Sequence, residues 1–79
     1  MAASSLHESC PDPKIQFGKH LAALRKKRGF SQEQLALEVG MARSYVGGVE
    51  RGTRNISLIN ICRLACSLSV TPSELMNFD

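Results

Sequence analysis

Apolar residues recur every three or four positions along most of the chain, which is the spacing of one face of an α-helix. In the first such stretch these positions are Phe17, Leu21 and Leu24. Asp12 and Pro13 precede them, as suits an N-cap and a first helical residue, and a glycine in the run KKRGF follows them. The pattern predicts a first helix from about residue 13 to that glycine.

A short second helix is predicted to follow a capping box. Ser31 stands three residues before Gln34, so each side chain can bond the other residue's backbone amide. The apolar stripe of this helix is Leu35, Ala36 and Val39. Gly40 supplies its end.

A third helix is expected to start near Ala42, with Met41 plugging the core in the turn before it. Val46 and Val49 give this helix a pair of apolar anchors three residues apart. Gly52 closes it.

Two more helices complete the pattern. Ser57 is the predicted N-cap of a fourth helix, and Val70 packs after that helix. The expected buried stripe of the fourth helix is Leu58, Ile61, Leu64, Ala65 and Leu68. Thr71, Pro72 and Glu74 then combine a capping box with a proline at the first helical position, which predicts a short fifth helix. The chain is therefore predicted to be all-α.

A chain of 79 residues has room for one hydrophobic core, so a single domain is expected. Residues 1–13 mix alanine, serine and proline without periodicity, and we interpret them as a flexible N-terminal arm. Residues 14–79 then form the folded domain.

The formal net charge of +3 is unevenly distributed. Residues 14–54 contain nine Lys and Arg against three Glu, whereas both flanks are net negative. A basic middle segment indicates either a surface that faces a polyanion or a solvated face.

The segment SQEQLALEVGMARSYVGGVERGTRN, residues 31–55, reads as a helix, a turn centred on glycine and a second helix. A short turn of this kind sets two helices at a steep angle. The first can lie across the DNA backbone while the start of the second enters the major groove.

The runs SQEQLA, GMARSYVGGVERGTRNIS and LACSLSVTPSEL resemble the phage-repressor/Cro-like (XRE) helix-turn-helix family over residues 14–78. The run RSYVGGVERGTRNIS is similar to the controller proteins of restriction-modification systems. The resemblance implies a compact five-helix lambda-repressor-like domain whose helices 2 and 3 form the helix-turn-helix. It also implies a transcriptional regulator that binds double-stranded DNA as a homodimer on palindromic operators and regulates its own operon.

Arg43, Ser44 and Tyr45 fall where this family places its base-reading positions. Arg43 can pair with O6 and N7 of guanine, or else it contacts only a phosphate or solvent. Ser44 can bond either a base or a phosphate. Tyr45 either meets a thymine methyl group or a phosphate, or is a half-buried spacer. Gly47 is expected to let the two helices pack closely. Gly48 is counted with the base-reading positions, because it is expected to let the third helix sit deep in the groove. Alternatively, two adjacent glycines mark a helix completed only on DNA.

A phosphate clamp is expected around these positions, consisting of Gln32, Arg51, Arg54 and Asn55. The run Lys26 to Arg28 either extends this basic surface or stabilises a helix C-terminus through the dipole.

The resemblance also assigns one structural ion pair and a dimer contact. Arg25 is expected to pair with Glu50, tying the first helix to the third. Apolar residues near the C-terminus are expected at the dimer interface, or else they cap the core; these residues are Leu75, Met76 and Phe78.

Other chemistry is not expected. Cys62 and Cys66 are four residues apart, and only His7, Cys10 and His20 could join them, so buried or partly buried apolar cysteines are favoured over a metal site. The sequence offers no nucleophile with a matched base and no phosphate-cradling loop, so we expect neither an enzyme nor a cofactor. No small-molecule ligand is evident.

The predicted location and the alternative functions follow from similar arguments. No stretch approaches the apolar length of a membrane span, which predicts a cytoplasmic protein. Two other functions stay open from the sequence: a DNA-binding antitoxin with a toxin partner, and a protein-interaction module that has lost DNA binding.

Overall fold

The computed structural model describes residues 10–78 of the chain. Within them lie five helices, which are α1 (Pro13–Lys27), α2 (Gln32–Val39), α3 (Arg43–Arg51), α4 (Leu58–Ser67) and α5 (Pro72–Leu75). The all-α, five-helix prediction is confirmed. Most of the predicted N-terminal arm, residues 1–9, lies outside the described residues, and Pro13 already belongs to α1.

The helix starts are determined locally, as their capping residues indicated. The Asp12 carboxylate accepts a hydrogen bond from the Lys14 amide at 2.9 Å. Both halves of the capping boxes of α2 and α5 are formed, and the Ser57 hydroxyl caps α4. The exception is α3, whose N-cap, Ala42, provides no side-chain hydrogen bond.

Each of the two helices of the helix-turn-helix ends at a glycine in the left-handed backbone conformation. Gly40 has φ of 78° and Gly52 has φ of 79°, and each follows the last residue of a helix. A side chain at Gly52 would also collide with the backbone of Ile15, at 2.9 Å from its Cα. Gly52 therefore ends α3 and brings it against the start of α1.

The five helices enclose one aliphatic core, with α1 packed on α3 and α5, and with α4 packed on α2 and α5. The buried apolar residues are Phe17, Leu21, Leu35, Ala36, Val39, Val46, Val49, Ile61, Leu64, Ala65, Leu68 and Leu75. Met41 and Val70 pack against this core from partly buried positions. Every predicted core position of α2 and α3 is therefore buried.

Three expectations about the C-terminal half are wrong. Leu58 is 75% exposed: it is the first residue of α4, and the buried stripe of this helix begins only at Ile61. Cys62 and Cys66 are exposed as well, since they continue the stripe of Leu58 at intervals of four, beside the buried stripe of α4. None of the helices between residues 10 and 78 is long and apolar enough to cross a bilayer.

Candidate DNA-binding surface

The α2–turn–α3 unit is held together by backbone bonds and by the core. The Met41 amide donates to the Ala36 carbonyl at 2.9 Å, which brings the chain back under α2 as it leaves the Gly40 turn. Val46 and Val49 are each 1% exposed and fix α3 against the rest of the domain. The exposed residues of α3 lie at its two ends, because Val46 to Val49 are all buried.

The first turn of α3 projects from this support. Arg43 and Ser44 are exposed, and Tyr45 is half-buried. The unoccupied backbone amides of a helix start favour anions, and no acidic residue lies in the first turn of α3. This end of α3 can therefore approach a polyanion with a free guanidinium group.

Tyr45 is held from two sides. The Asn60 amide nitrogen, on α4, donates to the Tyr45 hydroxyl oxygen at 3.1 Å. The Arg54 guanidinium carbon lies 5.7 Å from the centre of the Tyr45 ring, a distance at which a cation is attracted to the ring face. The ring is thus fixed in place at the edge of the surface.

The two glycines of α3 lie under neighbouring side chains. Gly48 is buried, and a Cβ there would meet the Arg54 Cγ at 2.8 Å and the Thr53 hydroxyl at 3.3 Å. The proposed base-reading role of Gly48 is therefore wrong, because the chain after α3 covers this position. A Cβ on Gly47 would lie 3.2 Å from an Arg51 guanidinium nitrogen. The glycine pair makes room for two arginines along the helix.

The expected phosphate-clamp residues are close to α3 in different ways. Arg51, Arg54 and Asn55 are exposed. Gln32 is half-buried, and its side-chain amide donates to the Glu50 carboxylate at 2.9 Å. The Gln32 side chain is thus already occupied in part, whereas Arg51 is free to reach an anion.

The Arg25–Glu50 ion pair joins α1 to the end of α3. Arg25 Nε donates to one carboxylate oxygen of Glu50 at 2.6 Å, and Nη2 donates to the other at 3.0 Å. Its Nη1 donates to the Phe30 carbonyl at 2.8 Å. The hydrogen bond from Glu50 raises the pKa of Arg25 despite the opposing effect of burial. With side chains 10% and 6% exposed, this pair is almost completely removed from water.

The expected dimer-contact residues do not form one surface. Leu75 is 0% exposed and belongs to the core, so its assignment to an interface is wrong. Phe78 is half-buried and packs edge-on against Phe17, with ring centres 6.1 Å apart. Met76 is 46% exposed. Four exposed uncharged residues lie instead on α4: Leu58, Ile59, Cys62 and Cys66.

Sequence reasoning missed three residues that support this surface. Gly18 lets α1 approach α3, because a Cβ there would lie 2.5 Å from the Val49 carbonyl oxygen. Its place three and seven residues before the buried Leu21 and Arg25 could have indicated this role. Asn60 and Arg63 support Tyr45 from α4, and no local pattern marks them.

Comparison with known proteins identifies the family. The family model described as Helix-turn-helix (HTH_3) matches residues 21–75. The control protein C.MunI of a Mycoplasma species is 42% identical over 67 residues, covering 84% of this chain and 90% of that protein. The crystal structure of the restriction-modification controller protein C.AhdI from Aeromonas hydrophila superposes with a TM-score of 0.77 at 55% identity. The match covers 78% of this chain and 94% of that chain.

A further solved relative is the biofilm master regulator SinR in complex with DNA. It superposes with a TM-score of 0.73 at 29% identity and covers 77% of this chain and 98% of that chain. This chain is a DNA-binding transcriptional regulator. It belongs to the helix-turn-helix family, within which it is similar to the restriction-modification control proteins.

Proposed function

We propose that this chain binds a palindromic operator as a homodimer, acting in the cytoplasm, and that it controls a restriction-modification operon. One α3 enters each of two major-groove segments about one helical turn apart. The observation that carries this proposal is the exposed pair Arg43 and Ser44 at the start of a helix that Val46 and Val49 hold in the core. The relatives described as control proteins support the choice of operon.

The proposed division of labour separates base contacts from phosphate contacts. Arg43 projects from the start of α3, where its planar group can bond O6 and N7 of a guanine. Arg51 is exposed at the other end of α3 and serves as a phosphate contact, together with Arg54 and Asn55. The Gln32 side chain is partly occupied by its bond to Glu50, so Gln32 contributes its backbone amide, at the start of α2, as a phosphate contact.

The homodimer is proposed to form through the α4 face, which we define as Leu58, Ile59, Cys62 and Cys66. All four residues are exposed and uncharged, and they recur at intervals of three and four along the helix. Two chains of net charge +3 approach each other with least repulsion along an uncharged surface. A twofold contact there is self-complementary, because each copy presents the same surface to the other.

The experiment that tests operator binding starts from a pool of random duplexes selected with the wild-type protein. Enriched sequences should be palindromic, with half-sites about one helical turn apart. Arg43→Ala should lose about 1–3 kcal/mol of discrimination at one base pair per half-site. Arg51→Ala should weaken cognate and random DNA alike and lower the salt slope by about one.

Arg51→Ala is preferred over Arg54→Ala as the phosphate variant, because Arg54 also lies over the Tyr45 ring. If both arginine variants lowered affinity equally on cognate and random DNA, the division between base and phosphate contacts would be wrong. Absence of salt-dependent duplex binding would contradict the proposed function itself.

The dimer surface is tested by sedimentation. Ile59→Glu should convert the dimer to monomer, since Ile59 is 73% exposed on the proposed interface and a charge there would be buried without a partner. Leu37→Glu is the matched control, because Leu37 is 77% exposed on α2 and should leave the dimer intact. Dissociation by the control variant alone would move the interface to α2.

A further inference from the structure

The hydroxyl of Tyr45 is part of a chain of hydrogen bonds that begins away from the candidate DNA-binding surface. The Arg63 Nη2 donates to the Val39 carbonyl, the last residue of α2, at 2.6 Å. Its Nη1 donates to the Asn60 side-chain oxygen at 3.2 Å. The Asn60 amide nitrogen then donates to the Tyr45 hydroxyl oxygen at 3.1 Å.

The direction of every bond in this chain is determined by the arginine. A guanidinium group can only donate, so the carbonyl end of the Asn60 amide must face Arg63. The NH₂ end must then face Tyr45, because the reversed amide would place two donors against each other. The Tyr45 oxygen consequently acts as an acceptor within the protein.

Because the Tyr45 oxygen acts as an acceptor, the phenol proton of Tyr45 is not used in a hydrogen bond among the described residues. Among residues 10–78 the Tyr45 hydroxyl accepts the bond from Asn60 and donates none. The Arg54 side chain covers the ring face, so the phenol proton is the part of Tyr45 that is left for a further polar contact. The proton can be donated to an acceptor outside the chain.

We propose that Asn60 is a positioning residue for DNA recognition, which holds Tyr45 as a hydrogen-bond donor towards an acceptor on the DNA. This inference rests on the proposed function and assigns a part of it to α4. The acceptor is either a base atom in the major groove or a phosphate oxygen, and both have the same chemistry towards the phenol. Asn60 itself need not touch DNA.

The test compares Asn60→Asp with wild type on the operator selected by the wild-type protein. The aspartate keeps the shape and still accepts from Arg63, but it accepts the phenol proton as well, so Tyr45 loses its outward donor. Tyr45→Phe and Asn60→Ala should each lower affinity for the operator by about three- to tenfold per half-site, the size of one neutral hydrogen bond, and the dimer loses this bond in both half-sites. Asn77→Asp, an exposed site with the same change of charge, controls for electrostatic repulsion.

A double-mutant cycle separates positioning from a purely structural role. In the Tyr45→Phe background Asn60→Ala should have no further effect, and Asn60→Asp should retain only the effect of the Asn77→Asp control. Equal losses from Asn60→Asp in both backgrounds, or an unchanged affinity of Tyr45→Phe, would overturn the proposal. If the proposal is overturned in this way but the Tyr45 and Asn60 variants keep the base preference that Arg43 gives, the proposed function still stands.

The source of the acceptor is identified on the same operator. Replacing a purine N7 by carbon should remove the effect of Tyr45→Phe if the acceptor is that base, whereas a methylphosphonate should remove it if the acceptor is a phosphate. Tyr45 is the single tyrosine and the chain has no tryptophan, so its fluorescence reports the bond directly. Asn60→Asp should reduce this emission without DNA. Unchanged emission would contradict the expected hydrogen bond from the Tyr45 phenol to the aspartate.

Discussion

Glu50→Ala should be a folding variant and not a DNA-contact variant. The Glu50 carboxylate accepts two bonds from Arg25, at 2.6 and 3.0 Å, and one from Gln32, at 2.9 Å. Its removal leaves the Arg25 guanidinium, in a side chain 10% exposed, with the Phe30 carbonyl as its remaining partner. A buried charge that loses its partner destabilises a protein by about 3–5 kcal/mol.

That loss is large for a domain of this size. At about 0.05–0.15 kcal/mol per residue, the whole free energy of unfolding is on the order of 4–12 kcal/mol. Since each kcal/mol shifts Tm by about 4–8 °C in a domain of 60–100 residues, a loss of 3 kcal/mol should lower Tm by about 12–24 °C. Thermal and urea unfolding followed by circular dichroism measure this directly.

Glu38→Ala is the matched control, because it removes the same charge from an exposed position on α2 and should change stability by less than about 0.5 kcal/mol. Replacing both partners, as Arg25→Met with Glu50→Leu, should recover most of the lost stability, since no charge then stays buried. The reasoning is refuted if Glu50→Ala unfolds within about 1 kcal/mol of wild type while abolishing DNA binding.

The remaining predictions concern the close approach of α1 to α3 and the proposed α4 face. Gly18→Ala should lower the free energy of unfolding by about 1–3 kcal/mol, because its Cβ would meet backbone atoms that cannot move aside; a urea midpoint equal to wild type would contradict this. Cys62 and Cys66 should react with a thiol reagent more slowly as protein concentration rises, whereas Cys10 should react at a constant rate. Equal concentration dependence of all three thiols would argue against the α4 face as the interface.

The helices could be predicted from the sequence because their boundaries depend on a few adjacent residues. Ser31 with Gln34 and Thr71 with Glu74 each form a capping box within four residues, so no knowledge of the fold was needed. The same reasoning failed at Leu58, because a periodic pattern gives the direction of the buried face but not the point where the core ends.

The support of the candidate site could not be predicted in the same way. Asn60 meets Tyr45 across 15 positions of sequence, and Arg63 meets the Val39 carbonyl across 24. Such bonds depend on how α4 packs against α2 and α3, which no local pattern encodes. Arg25 and Glu50 were assigned through the family resemblance and not through their spacing. The polar contacts that orient the surface are thus the part for which the structure was needed.

These contacts matter because α3 is a poor helix on its own. It has no side-chain N-cap, and its two adjacent glycines each cost about 1 kcal/mol of helix stability relative to alanine. Its position must therefore come from its neighbours: α1 through the Arg25–Glu50 pair, and α4 through the bond from Asn60 to Tyr45. A change in either neighbour should move the first turn of α3, where the base contacts are proposed, without itself touching DNA. Loss of operator specificity is then expected from substitutions on two helices that carry no base contact.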